Sequence, residues 1–310
     1  MTGDPFSDVL DLIHAKSVVS GSLAAGGAWS IQFPPSDLIN FWGIVRGECW
    51  VWTGSADAPL QLKAGDFLLR TVAEPAVLAT DLDATPVDFQ DVLASGSEGR
   101  LRHGNGDEFF MIGGKVELDA AQGAALLNSL PSSIHIRHGS PQAAVLECLL
   151  AQLVREQTDG LPGVATSSAL LAHLMFIQIL RAHLDLGATL APGWLRLVGN
   201  RRMAPALRLL HGDPARAWGL EELARECGMS RATFAVHFKG SAGVTPLAYL
   251  AQWRMRLAER ALRDGDDAIS SLAYSLGYAS ESAFSNAFKR LVGQAPARYR
   301  ATARALQARA

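Results

Sequence analysis

The chain has 310 residues, of which 49% are hydrophobic and 19% are charged, and its formal net charge is −2. This composition excludes an intrinsically disordered chain, because it supplies enough apolar side chains for two sizeable cores. The N-terminus lacks the basic segment and apolar run of an export signal, and the longest apolar stretch, Leu170 to Leu180, is interrupted by His173 and Gln178. We therefore expect a soluble, cytoplasmic protein that does not bind a membrane.

Residues 1–118 contain short runs rich in tryptophan, valine and phenylalanine, separated by glycine, proline and aspartate. Such runs are Trp29–Phe33, Phe41–Val45, Cys49–Thr53 and Asp66–Arg70. Their spacing predicts strands of a small antiparallel barrel or sandwich. The stretch from Gly47 to Leu69, with a turn at Lys63–Asp66 before an apolar strand, resembles the middle of a cupin barrel.

Aromatic and basic side chains on these predicted strands form a candidate effector site. The mouth of a barrel is a common place for a mostly apolar pocket with a few polar groups, although the same aromatic residues could equally be core packing. Gln32 and Arg70 are further polar groups that could line such a pocket. The candidate residues are Trp29, Phe33, Phe41, Arg46, Trp50 and Trp52.

Metal binding and redox chemistry are the two other functions considered for this half of the chain. Metal-dependent cupins hold their ion with histidines and a glutamate, which are suitable donors for iron or manganese. No histidine occurs in Asn40–Trp42 or in Ala73–Val77, where the resemblance would place such ligands. We expect no metal, no other cofactor and no catalytic residue. The three cysteines form no CxxC pair, and Cys49 is the one redox candidate.

Two leucine-rich helices are predicted in residues 119–190. One extends from Pro141 to Glu156 and the other from Ser168 to Leu186, and both carry leucines at helical spacing. One apolar stripe can pack on the barrel, which leaves apolar surface for a partner. The alternative is that both helices are internal to a monomer. Residues 191–204, where glycine, proline and basic residues gather, are interpreted as a linker.

Residues 205–310 contain an internal repeat, at an offset of 49 residues that becomes 50 after one insertion. Each repeat predicts a helix, a glycine turn and a second helix, which is a helix-turn-helix. The first copy comprises Leu223, Ala224, Gly228, Phe234, Phe238, Lys239, Gly243, Pro246 and Tyr249. The second comprises Leu272, Ala273, Gly277, Phe284, Phe288, Lys289, Gly293, Pro296 and Tyr299.

Charge distinguishes this repeat from a helical bundle that merely buries its phenylalanines. Residues 205–310 contain 15 Lys and Arg against 9 Asp and Glu, a net of +6, whereas residues 1–204 contain 13 against 21, a net of −8. A basic domain attached to an acidic body is typical of a module that binds the phosphates of nucleic acid.

Residues 205–302 resemble the DNA-binding domain of the AraC/XylS family of bacterial transcription regulators. The residues that match the family signature in order and spacing are Ala273, Gly277, Tyr278, Ser280, Ser282, Phe284, Phe288, Lys289, Arg290, Gly293, Pro296, Tyr299 and Arg300. The N-terminal part, with Leu130–Pro131 and Pro192–Trp194, is similar to the cupin-type sensor half of one branch of the family. The resemblance implies a homodimer that binds promoter DNA, acts on RNA polymerase and responds to a small-molecule effector or chemical signal.

The same resemblance implies that the second helix of each unit, the recognition helix, enters a major groove. On the first recognition helix the outward residues are Arg231, Ala232, Ala235, Val236 and Lys239. On the second they are Ser282, Ser285, Asn286, Lys289 and Arg290. Asn286 suits a bidentate contact with adenine, and Lys289 or Arg290 suits phosphate, so sequence discrimination should depend more on the second unit.

These observations predict an α+β protein that is not an enzyme. Its expected parts are a cupin-like antiparallel barrel at 1–118, a helical dimerisation segment at 119–190, a linker at 191–204 and an all-α DNA-binding domain with two helix-turn-helix units at 205–310. The alternative is a cupin-like enzyme or carbohydrate-binding protein whose helical tail is a scaffold. A bound metal or catalytic turnover without DNA affinity would favour that alternative.

Overall fold

The computed structural model describes residues 4–13, 15–53, 58–96, 99–118, 123, 126–185 and 190–307. The chain divides into two compact units: His14–Ala188, here called the β-rich unit, and Met1–Ile13 together with Thr189–Ala310, here called the helical unit. The first helix, α1 (Pro5–Leu12), thus belongs with the C-terminal helices, whereas the sequence-based boundaries assigned residues 1–13 to the barrel. Residues 119–122, 124, 125 and 186–189 of the predicted helical segment lie outside the described residues.

The β-rich unit consists of short strands that alternate with turns, as the runs of aromatic and β-branched residues predict. The turn at Lys63–Asp66 is closed by the Asp66 carboxylate, which accepts the backbone N–H of Lys63 at 3.0 Å. The strands are β1 (Lys16–Gly26), β2 (Ser30–Phe33), β3 (Ile39–Arg46), β4 (Glu48–Thr53), β5 (Leu60–Lys63), β6 (Phe67–Arg70), β7 (Ala76–Ala79), β8 (Val87–Asp88), β9 (Arg100–Gly104), β10 (Phe109–Glu117) and β11 (Ser133–Ile136). The short helix α2 (Phe89–Ser95) connects β8 with β9.

Within the described residues these strands form two sheets. One has the strand order β11-β6-β3-β10-β1-β9 and the other the order β5-β4-β7-β2-β8. The pairings are antiparallel except at one edge of each sheet, where β9 pairs with β1 and β8 pairs with β2 in parallel. Side chains from both sheets, such as Ile44 and Leu68 from the first and Val51 and Leu78 from the second, share one buried core. The predicted cupin-like architecture is therefore confirmed, with parallel pairing added at two edges.

Two helices follow the strands: α3 (Ala143–Asp159) and α4 (Val164–Asp185). The α3 leucines Leu146, Leu150 and Leu153 are buried, and Leu150 lies against Gly43 of β3. By length and composition alone, α4 could cross a membrane. A core helix of a soluble protein passes the same test, and α4 packs against α3 and β1.

The helical unit continues with α5 (Trp194–Gly199), α6 (Ala204–Gly212), α7 (Leu220–Glu226), α8 (Arg231–Ala242), α9 (Pro246–Asp264), α10 (Ile269–Ser275), α11 (Glu281–Val292) and α12 (Pro296–Gln307). The long helix α9 begins with a Thr245 cap and Pro246 at its first position. Its N-terminal half, with Tyr249 and Leu250, belongs to a core shared with α6, α7 and α8. Its C-terminal half, with Met255 and Leu262, belongs to a second core shared with α10 and α11.

Candidate functional site

The two predicted helix-turn-helix units are α7 with α8 and α10 with α11, and each turns at a glycine. Gly228 and Gly277 have φ angles of +65° and +78°, a left-handed conformation that favours glycine. The next serine caps the recognition helix: Ser230 accepts the N–H of Thr233 at 3.2 Å, and Ser280 accepts that of Ala283 at 3.1 Å. The glycine turn and the serine cap that the sequence predicts are therefore present in both helix-turn-helix units.

Two phenylalanines one helical turn apart fix each recognition helix to its core. In α8 the rings of Phe234 and Phe238 have centres 5.6 Å apart, and in α11 those of Phe284 and Phe288 have centres 5.7 Å apart. All four side chains are fully buried. Because they define the inward face of each helix, the opposite face is directed away from the core.

The outward face of α8 carries few hydrogen-bonding groups. Arg231, Ala232, Val236 and Lys239 are exposed, and Ala235 is half-buried. Val236 is 71% exposed. Arg231 lies 3.7 Å from the carboxylate of Glu221, also at the surface.

The outward face of α11 is more polar. Ser282, Asn286, Lys289 and Arg290 are exposed, and Ser285 is half-buried. Lys289 and Arg290 stand in the last turn of the helix, where positive charge is favourable near the helix C-terminus. The ten side chains selected from the sequence thus all lie away from the two phenylalanine cores.

Arg254 of α9 links the loop that precedes the first helix-turn-helix unit to the turn of the second, and the sequence-based candidates did not include it. Its Nε donates to the carbonyl oxygen of Pro214 at 2.6 Å, and its Nη2 donates to those of Ala215 and Arg216 at 3.2 and 3.0 Å. The guanidinium also lies 5.6 Å from the centre of the Tyr278 ring, which follows the turn of the second unit. Burial lowers the pKa of Arg254, yet an arginine stays charged and keeps these donors.

The turn of the second unit packs directly on the same loop. A Cβ atom at Gly277 would lie 2.0 Å from the carbonyl oxygen of Ala215, whereas one at Gly228 would meet no atom within 4 Å. Glycine is therefore needed at position 277 for two reasons: the left-handed backbone of the turn and the close approach of the Ala215 carbonyl oxygen. Together with Arg254, this contact fixes the arrangement of the two recognition helices within the helical unit.

A buried polar network connects α1 with the first core. His211 Nδ1 lies 3.3 Å from Asp8 Oδ2, its Nε2 lies 2.8 Å from the Tyr249 hydroxyl, and its ring stacks on Trp253. A neutral ring satisfies both bonds, since Nδ1–H donates to the carboxylate and Nε2 accepts the hydroxyl proton. Asp8 favours the charged form, but burial, followed by the charge of Arg256, lowers the pKa of His211 to about 3.

The six candidate effector residues of the β-rich unit do not lie together. Phe33 lines a cavity of about 180 Å³, and Trp29 and Trp50 line a different cavity of about 320 Å³. Phe41 is buried over Gly114 and lines neither of these cavities. Arg46 pairs at the surface with Asp107 at 3.0 Å, and Trp52 is 47% exposed.

Two aromatic residues that the sequence-based candidates omitted, Trp42 and Phe89, line the 180 Å³ cavity with Phe33. The buried Arg70, which the sequence suggested as a possible polar lining group, lines it as well. Phe41 and Trp42 are adjacent on β3, so their side chains face opposite sides of the sheet, and only Trp42 faces the interior between the sheets. Of these two neighbours, the sequence-based candidate Phe41 does not line this cavity, whereas Trp42 does.

Cys49, the redox candidate, is buried in the core of the β-rich unit and borders the larger cavity. Burial, followed by the charges of Asp66 and Glu48, raises the pKa of its thiol to about 12. The thiolate is the reactive form, and the burial and raised pKa of Cys49 both disfavour it at neutral pH. Cys148, on α3, is exposed.

Comparisons with known proteins agree with this geometry. A family model described as "Cupin" matches residues 4–185, and one described as "Helix-turn-helix domain" matches residues 223–302. An AraC-like transcription regulator of Streptomyces antibioticus is 38% identical over 297 residues, covering 96% of this chain and 98% of the relative. The HTH-type transcriptional regulator AlkR of Acinetobacter baylyi is 29% identical over 306 residues. This match covers 96% of this chain and 99% of the relative.

Among solved structures, the DNA-binding domain of AdpA in complex with a target DNA is 30% identical, covers 35% of this chain and 98% of its own, and has a TM-score of 0.33. The matches to the curated relatives span both halves of the chain. The chain therefore belongs to the AraC family of helix-turn-helix transcriptional regulators with an N-terminal cupin domain, and it is a DNA-binding transcription regulator rather than an enzyme.

Proposed function

We propose that the chain reads two adjacent major grooves on one face of a DNA duplex with α8 and α11. The observation that carries this proposal is the fixed joint between the two units, formed by Arg254 and by the contact of Gly277 with the loop at Ala215. A rigid pair of recognition helices matches two grooves that are about one helical turn, roughly 34 Å, apart. A flexible pair would bind each groove separately.

The residues proposed to contact DNA differ in role between the helices. On α11, Asn286 suits adenine in the major groove, Ser282 and Ser285 suit base edges, and Lys289 and Arg290 suit phosphate. On α8, Ala232, Ala235 and Val236 suit apolar contacts with thymine methyl groups, and Arg231 and Lys239 suit phosphate. All these side chains are exposed or half-buried, which supports the assignment.

We further propose that the β-rich unit controls this DNA binding by taking up a small molecule. The support is a cavity between its two sheets that is lined mainly by apolar and aromatic side chains. Exposed apolar residues on α3 and α4, Val145, Leu170 and Leu174, support a homodimer formed through these helices. The regulator would act in the cytoplasm, where promoter DNA and RNA polymerase are present.

The test begins with selection of genomic fragments by the purified full-length chain, which supplies a specific site. Asn286→Ala should then lose about 1–3 kcal/mol of discrimination at one base pair, because a bidentate base contact is removed. Val236→Ala on α8 is the matched exposed variant and should change discrimination less. Competition binding with single-base variants of the site measures both. Unchanged selectivity in Asn286→Ala would refute the role of Asn286, and absence of any selected fragment would refute the proposed groove reading.

A further inference from the structure

The cavity of about 180 Å³ between the two sheets has an aromatic wall. The Phe33 ring centre lies 5.3 Å from that of Trp42 and 4.6 Å from that of Phe89. Leu23 and Met111, from the paired strands β1 and β10, line another side. An engineered cavity of about 150 Å³ accommodates benzene, so this space is suited to one aromatic ring with a small substituent.

Two glycines lie opposite each other on β1 and β10 at this cavity. Gly21 pairs with Gly113 in the register of the two strands, and both line the cavity. Gly21 has a φ angle of +149°, and a Cβ there would lie 2.2 Å from the carbonyl oxygen of Gly99. Gly113 has neither constraint, since its Cβ would only make ordinary contact with Trp42 at 3.4 Å. The backbone therefore does not require glycine at position 113, and the absence of a side chain there leaves room in the cavity.

Arg70 supplies a buried positive charge at the cavity. Its side chain lies 5.3 Å from the centre of the Trp42 ring, and the residue is only 3% exposed. Nη2 donates to the backbone oxygen of Glu74 at 2.7 Å, but Nε is buried and has no hydrogen-bond partner among the described residues. A buried donor without an acceptor costs about 1–3 kcal/mol.

The other polar groups around the cavity also favour an anion. Lys115 lies at the exposed rim, paired across the strands with Asn40, which pairs in turn with Arg70. Among the described residues that line the cavity, the charged side chains are Arg70 and Lys115, and none is a carboxylate. Glu74 is outside the lining, although its charge acts on Arg70. The interior is therefore apolar and aromatic, with an excess of positive charge.

We propose that this cavity binds a single-ring aromatic carboxylate. The ring lies among Phe33, Trp42 and Phe89, and the carboxylate pairs with the guanidinium of Arg70 at the wall of the cavity through a charge-assisted hydrogen bond. This assignment rests on the proposed small-molecule control of the regulator and names the chemical class of the effector.

The experiment titrates the purified full-length chain with benzoate and phenylacetate by calorimetry. Acetate, which lacks the ring, and benzyl alcohol, which lacks the charge, are the matched probes. We expect benzoate or phenylacetate to bind at least tenfold more tightly than either. Equal affinity for benzoate and benzyl alcohol would overturn the role of Arg70, and absence of binding by both aromatic acids would overturn the proposal.

Three variants test whether benzoate binds in this cavity. Arg70→Gln should weaken benzoate binding at least tenfold, and Gly113→Val, which fills the space without a backbone constraint, should do the same with an unchanged melting temperature. Arg46→Gln, on the same sheet but at the surface, should bind like the parent chain. Benzoate binding that survives Gly113→Val in a folded protein would refute the site.

Binding to a selected DNA fragment separates this proposal from the proposed function. If benzoate binds in the cavity without changing DNA affinity, the ligand assignment stands and control through this site is refuted. If aromatic acids do not bind but another class of small molecule changes DNA affinity, the regulatory function stands and the aromatic-acid assignment is refuted.

Discussion

The two helix-turn-helix units have closely matching aromatic contacts in their interiors. The ring of Phe238 packs edge to face against that of Tyr249, with ring centres 5.7 Å apart. The rings of Phe288 and Tyr299 pack in the same way, with centres 5.6 Å apart. The outward faces differ, since α8 presents mainly alanine and valine beside two cations while α11 presents serines, asparagine and two cations. A close-packed core tolerates few changes, whereas an exposed face tolerates many, so the two units share a fold and differ in what they can recognise.

The largest expected effect tests whether the two interiors are equivalent. Phe284→Ala and Phe234→Ala each remove a fully buried ring, so each should lower the free energy of unfolding by about 3–5 kcal/mol. Denaturant titration of the full-length chain measures both. Leu247→Ala, an exposed apolar residue on α9, is the control and should lose less than about 0.5 kcal/mol. A difference of more than about 2 kcal/mol between the two phenylalanine variants would contradict the equivalence of the cores.

The similar structures of the two helix-turn-helix units could be predicted from the sequence, because the residues that determine each turn and cap lie close together along the chain. Gly228, Ser230 and the first phenylalanine lie within seven residues, and the same set recurs at Gly277 and Ser280. Helix caps and left-handed glycine turns act over such short distances, so the sequence is sufficient to predict them. The repeat then provides a second, independent instance of each signal.

Contacts between residues that are far apart in the sequence could not be predicted. The contact between Asp8 and His211 joins residues 203 positions apart, and no local pattern in α1 marks it as part of the helical unit. The cavity in the β-rich unit likewise depends on which face each strand turns inward. Because a shift of one residue reverses that face, Phe41 was selected where Trp42 lines the cavity.

The turns provide the next largest contrast, because the two glycines have different surroundings. Gly277→Ala should lower the free energy of unfolding by about 3 kcal/mol or more, since its Cβ would collide with the carbonyl oxygen of Ala215 in addition to the strain of a positive φ. Gly228→Ala carries only the strain and should lose about 1–2 kcal/mol. Chemical denaturation compares the pair. Equal losses would show that the second turn does not pack closely on the loop.

The buried His211 of α6 gives the first core of the helical unit a pH dependence of its own. His211 titrates near 6.5 in the unfolded chain and near 3 in the folded chain, so the unfolded chain takes up the proton first. The stability that neutral His211 contributes is complete above pH 6.5 and is lost as the pH falls towards 3. The loss should reach about 2 kcal/mol at pH 5.

Denaturant titrations of the parent chain and of His211→Gln between pH 7.5 and 4.5 measure this loss. The variant should show a flatter dependence, because glutamine does not titrate in that range. His237→Gln, which changes an exposed histidine on α8, is the control and should follow the parent curve. Parallel curves for the parent and His211→Gln would contradict the assignment of a depressed pKa to His211.

The smallest expected effect concerns Lys239 and Lys289, which occupy equivalent positions in the last turns of α8 and α11 and are both exposed. If both meet phosphate, Lys239→Ala and Lys289→Ala should each weaken binding to all DNA sequences alike and reduce the slope of log affinity against log salt by roughly 1. Fluorescence anisotropy over a series of salt concentrations measures the slope, with Lys16→Ala on β1 as an exposed control. A slope that changes in one variant alone would show that the two units differ in backbone contact as well as in base contact, because equal phosphate contacts release equal numbers of counterions.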